Sequence, residues 1–186
     1  MKNSFILLAI FFLAGINAQS QTKIASAAYI DTYYHGQKFF SIKEAAMVFY
    51  EREQGELNIE IDFSNFKSGV DSLDEWLIDL TETKFTFKAH LAQTDLLILT
   101  HHNTKSLSVT GTASFNNQSH PMKIQFNMYE ISREGMLMIT NTNDVLDRIA
   151  ANIQLSIYPK DFGINKKPHH LKKVISVAIG RAVLNH

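Results

Sequence analysis

The sequence predicts an all-β fold, a single antiparallel sandwich or barrel of about eight strands with one short helix inserted. Three observations carry this. Apolar and polar residues alternate with a period of two in segment after segment, most cleanly where Leu57, Ile59, Ile61 and Phe63 are interleaved with Glu56, Asn58, Glu60 and Asp62. Residues 107–128 read as two such segments joined by turn chemistry. Residues 68–80 break the pattern, with Leu73, Trp76, Leu77 and Leu80 at the i, i+3, i+4, i+7 spacing of one apolar helix stripe and Ser72 and Glu75 at capping-box spacing.

A chain of 186 residues without a Pro-rich or Gly/Ser-rich linker is one domain of common size. Lys plus Arg and Asp plus Glu both number 18, so the basic excess that nucleic-acid binding requires is missing, and nucleic acid is not expected as a partner. The chain has no cysteine, which removes disulfides, thiol nucleophiles and thiolate metal sites together. Lys2, an apolar run over 5–16 and small Ala18 before Gln19 form the pattern of a secretory signal peptide, residues 1–18, with 19–186 exported to the periplasm or secreted.

Along the exported part, residues 19–28 are small and polar and are expected to be poorly ordered. Residues 29–40 are dense in aromatics around Gly36 and read as one strand or two short ones. Residues 41–53 hold both a capping box, Ser41 with Glu44, and the bulk of a strand at 47–50; the strand is preferred. After the helix, Phe85, Phe87, Ala89 and Leu91 restart the alternation, and 96–99 add an apolar run. In the hairpin, Leu107, Val109, Ala113 and Phe115 share a face, Ile124, Phe126 and Met128 continue it, and residues 116–121 are expected to form the turn. Gly111 stands where an inward side chain would be, as at a bend or a close approach. A further strand is expected at 136–139 and a helical turn or two at 143–151. Ile153, Leu155 and Ile157, then Ile175, Val177 and Ile179, complete the alternation.

Groups able to do chemistry are few. His101 and His102 are adjacent, so on a strand they face opposite ways; His169 and His170 follow Lys166, Lys167 and Pro168 in a loop, and no HxH or HExxH spacing occurs. No metal and no cofactor are therefore expected. No GxSxG elbow is present, and capping accounts for Asp71, Asp74 and Glu75, so no catalytic residues are expected either. Lys166, Lys167, Lys172 and Lys173 make the one basic run, a solvated loop or a transient contact with anionic membrane head groups. A homodimer is compatible with this reading.

The inward face offers more. A sheet of about eight strands closed on itself is filled by side chains or holds one slender ligand. Phe63, Phe85, Phe87, Val109, Phe115, Phe126, Leu155 and Ile157 are the candidate lining, Gly111 and Ala113 the small residues that would leave room, and Trp76 the candidate lid. A solid core without ligand, as in a secreted β-sandwich structural or interaction module, fits the same pattern; composition does not choose.

Three segments resemble the YceI-like family of exported lipid-binding proteins. They are LSVTGTASFNNQSHPMKIQF (107–126), NIQLSIYPKDFGI (152–164), with Asp161 to Ile164 matching the family's Asp-Phe-Gly-Ile, and the closing VISVAI (174–179). DSLDEWLIDL (71–80) leading into KFTFKAHL (84–91) is similar to its helix and aromatic strand, so the likeness covers about 57–179. The resemblance implies an antiparallel lipocalin-like barrel that holds a long apolar lipid such as a polyisoprenoid in its tunnel, without catalysis.

Overall fold

The computed structural model describes residues 24–34, 37–51, 54–67, 69, 71–80, 82–92, 95, 104–130, 149–165 and 174–184. Among the described residues eight strands follow one another: β1 (Ile24–Tyr34), β2 (Gln37–Glu51), β3 (Glu56–Asp62), β4 (Lys84–His90), β5 (Lys105–Phe115), β6 (Gln118–Glu130), β7 (Ile149–Ile157) and β8 (Ile175–Leu184). Each pairs antiparallel with the next, and β1 pairs with β8, so the sheet closes into a barrel in sequence order. The barrel and its inserted helix agree with the fold class read from the sequence. Closure leaves no edge to protect.

Alternation does most of the building. On β3, and on β7 from Ala151 onward, every second residue is buried and its neighbours face out, so Leu57, Ile59 and Ile61 and then Ile153, Leu155 and Ile157 enter one core. The helix α1 (Asp71–Ile78) forms where the apolar spacing changes from two to three and four, and it lays Trp76 and Leu77 on that core.

Three local expectations change. Residues 24–28 belong to β1, because Ile24, Ala25, Ser26 and Ala28 pair with β2. The turn expected over 116–121 is only Asn116-Asn117, both left-handed at φ 50° and 59°, the two-residue connection whose twist matches a hairpin. His120 and Pro121 are strand, opposite Ala113 and Thr112. Pro121 is tolerated there because β7 pairs with β6 only from Gln125 onward. Residues 149–151, given above to a helical turn, open β7. Residues 143–148, the strand expected at 136–139, the run at 96–99, the signal segment, His101, His102, His169, His170 and the basic run all lie outside the described residues.

Because consecutive strands run up and down, the β3–β4, β5–β6 and β7–β8 connections gather at one end of the barrel. That end carries α1 and two 3-10 turns, Phe63–Asn65 and Pro159–Phe162. At the other end β2, β4 and β6 finish and β3, β5 and β7 begin.

Candidate functional site

The barrel interior is the candidate site, and it has two parts. The first is an aromatic floor at the end carrying α1. Asp62 caps the first 3-10 turn by accepting from the Ser64 N–H at 3.0 Å, and the Phe63 N–H bonds to the Thr83 carbonyl at 2.9 Å, which drives the Phe63 ring inward. Phe63 meets Phe66 with centroids 5.5 Å apart and Phe115 at 5.4 Å. Phe115 and Phe85 both meet Phe162 edge-on, at 5.9 Å and 6.2 Å. These are the tilted and T-shaped separations that aromatic quadrupoles favour.

Phe162 gets there through its turn. Pro159 starts the 3-10 helix, and Gly163 ends it at φ 70°, a left-handed cap that gives its N–H to the Lys160 carbonyl. The Asn116 amide donates to the Phe162 carbonyl at 3.0 Å, so the hairpin tip and the Asp-Phe-Gly-Ile segment hold each other. Trp76 and Leu80 are half-buried against the cluster from outside. Alongside, a groove of about 440 Å³ is lined by Trp76, Leu80, Asn116 and Ile164.

The second part is the wall. Phe87 and Ala113 face each other on β4 and β5, Phe126 lies across from Leu107, and Leu155 across from Val177. Val109 and Ile157 are inward as well. Gly111 does not border open space. A Cβ there would run into the Lys88 carbonyl and meet Ala89 Cβ and Phe87 Cζ at 2.7 Å, so the missing side chain is what lets β4 come close.

The candidate lining residues thus fall into two groups. Phe63, Phe85 and Phe115, with Trp76 packed on the outside, belong to the floor; Phe87, Val109, Gly111, Ala113, Phe126, Leu155 and Ile157 belong to the wall. Alternation missed Phe66 and Phe162, because each sits in a 3-10 turn or beside one, where no period of two runs. The buried Pro159 beside Phe162 was the available signal.

The interior is dry and close-packed. Phe85, Phe87, Ala113, Phe126 and Ile157 are 0% exposed and Val109 5%, so no gap of water size opens beside them. Among the described residues Ser26 is the one buried polar residue, and no group of three or more His, Cys, Asp or Glu could hold a metal ion. Asp62 stands at the rim. Burial by itself raises its pKa, but hydrogen bonds from the Ser64 hydroxyl and N–H and the Thr83 hydroxyl, with nearby Lys84, outweigh burial and hold it below the ordinary value.

No family model matches the sequence, and no curated protein matches it. Solved structures do. A polyisoprenoid binding domain from Saccharophagus degradans, implicated in plant cell wall breakdown, aligns with TM-score 0.63 and 13% identity over 85% of this chain and 92% of its own. BcnA of Burkholderia cenocepacia aligns with TM-score 0.58 and 11% identity, over 86% and 96%. At such identities the likeness is one of fold: the chain has the antiparallel barrel of these two proteins, which is the fold that its resemblance to YceI-like proteins implied.

Proposed function

We propose that this protein is an exported, non-enzymatic carrier that holds a long apolar chain of isoprenoid type along the barrel axis. The observation that carries the reading is a closed eight-stranded barrel whose described interior is apolar except for one hydroxyl. The aromatic floor blocks one end, so the chain passes through the other, where β2, β4 and β6 end. Side chains there, such as Met128 and Leu107, swing aside to admit it; methionine suits that role because it is unbranched and polarizable. About fifteen CH2 groups leaving water contribute on the order of 12 kcal/mol, which leaves micromolar affinity after an association cost of about 4 kcal/mol. The fold shared with a domain named for polyisoprenoid binding supports the choice of guest. Export rests on residues 1–18, and loading at an anionic membrane surface through the run from Lys166 to Lys173 belongs to the same reading.

Native mass spectrometry and solvent extraction of the purified mature protein test this directly. A co-purified apolar lipid is expected. Protein that is consistently empty, and takes up no prenyl chain when offered one, refutes the carrier.

One observation favours a second reading. Wall residues with no exposed surface are what a solid-core structural or interaction module would show, and such a module binds nothing in its interior.

A further inference from the structure

The wall is uneven in size around the barrel. On the four adjacent strands β7, β8, β1 and β2 the inward positions include Ala151, Ala182, Ser26 and Ala46, each at most 5% exposed. Ala151 pairs with Ala182 and Ser26 with Ala46, and paired residues face the same side, so Ser26 points where buried Ala46 points. The register shifts directly after Ser26 on β1 and directly after Ala151 on β7. Irregularities of this kind re-aim side chains, and they are common beside binding sites. On β4, β5 and β6 the buried inward positions include the larger Phe87, Val109 and Phe126.

Ser26 is the exception in this stripe. Its Oγ is buried and has no hydrogen-bond partner among the described residues. A buried hydroxyl without a partner is normally selected against, and alanine would fit the stripe as well as its three neighbours do.

We propose that Ser26 is a binding residue for an oxygen on the guest. Its hydroxyl donates to a hydroxyl or carbonyl oxygen carried by an otherwise apolar chain, and the alanines of the stripe crowd that oxygen less than larger apolar side chains would. This rests on the carrier reading above and narrows it from any apolar chain to one that bears a neutral oxygen, such as a prenyl alcohol or a quinone.

The experiment compares geranylgeraniol with the hydrocarbon of the same carbon skeleton, each titrated into the mature protein and into Ser26→Ala. The alcohol-to-hydrocarbon affinity ratio is expected to fall about fivefold in the variant, the worth of one neutral hydrogen bond. Ligand-free Ser26→Ala is expected to melt no lower than the parent, since nothing inside the protein loses a partner. A ratio unchanged by the substitution, with both guests bound, overturns the role of Ser26 and leaves the carrier standing. A lower melting temperature means an internal partner and overturns it too. Failure of the parent protein to bind either guest overturns both.

Discussion

The Asn116 side-chain amide donates to the Phe162 carbonyl at 3.0 Å across 46 residues of sequence, and this bond fastens the β5–β6 hairpin to the turn that delivers Phe162 to the floor. Asn116 also sits at φ 50°, where asparagine is tolerated and alanine is strained. Asn116→Gly keeps the turn and loses the donor, at about 1 kcal/mol. Asn116→Ala loses both, at about 2 to 3 kcal/mol. Urea denaturation separates the two variants. Equal losses would mean that the left-handed turn contributes nothing.

Gly111 is the tightest point of the wall. In Gly111→Ala the new methyl meets the Lys88 carbonyl, Ala89 Cβ and Phe87 Cζ, and a backbone carbonyl in a ladder cannot move aside. The expected loss is about 3 kcal/mol, the upper part of the overpacking range. A loss below about 0.5 kcal/mol, the size of a neutral surface change, would show that β4 and β5 are farther apart than described.

Ala113 decides between carrier and solid module. It is fully buried opposite Phe87, on the wall above the floor. If the interior yields to a guest, Ala113→Phe takes up that space: stability changes by less than about 1 kcal/mol and lipid capacity drops. If the core is solid, the same change costs about 1 to 3 kcal/mol and there is no lipid capacity to lose. Denaturation and lipid extraction on one pair of proteins give both readouts.

What the sequence made legible follows from what periodicity reports. A strand with one wet face displays its inward set directly, so Leu57, Ile59, Ile61, Phe85, Phe87, Phe126 and Leu155 could be placed without coordinates. Phe66 and Phe162 could not, because a 3-10 turn has no partner strand to impose alternation. Pro121 misled for a related reason: proline reads as a breaker, yet it is harmless where a strand runs past its neighbour. Ser26 was hidden among small polar residues, and only strand pairing shows that it faces the core. Closure itself depends on β1 meeting β8, a contact between chain ends that no local window contains.

Asp62 links the floor to pH. Its carboxylate accepts from the Ser64 hydroxyl at 2.7 Å, the Ser64 N–H at 3.0 Å and the Thr83 hydroxyl at 3.1 Å, bonds that favour the charged form. Burial opposes them and loses, so the pKa in the folded protein lies below the ordinary 3.8 of the unfolded chain. A depressed carboxylate contributes stability that is complete above the unfolded value and fades as pH falls through the folded one. Asp62→Asn keeps an oxygen acceptor and removes the charge. The parent should therefore be the more stable of the two at neutral pH, and the gap should shrink below pH 3.8. Denaturant titrations of both proteins across that interval measure it. A gap that stays constant into acid would mean that the carboxylate is not the group holding the Phe63 turn in place.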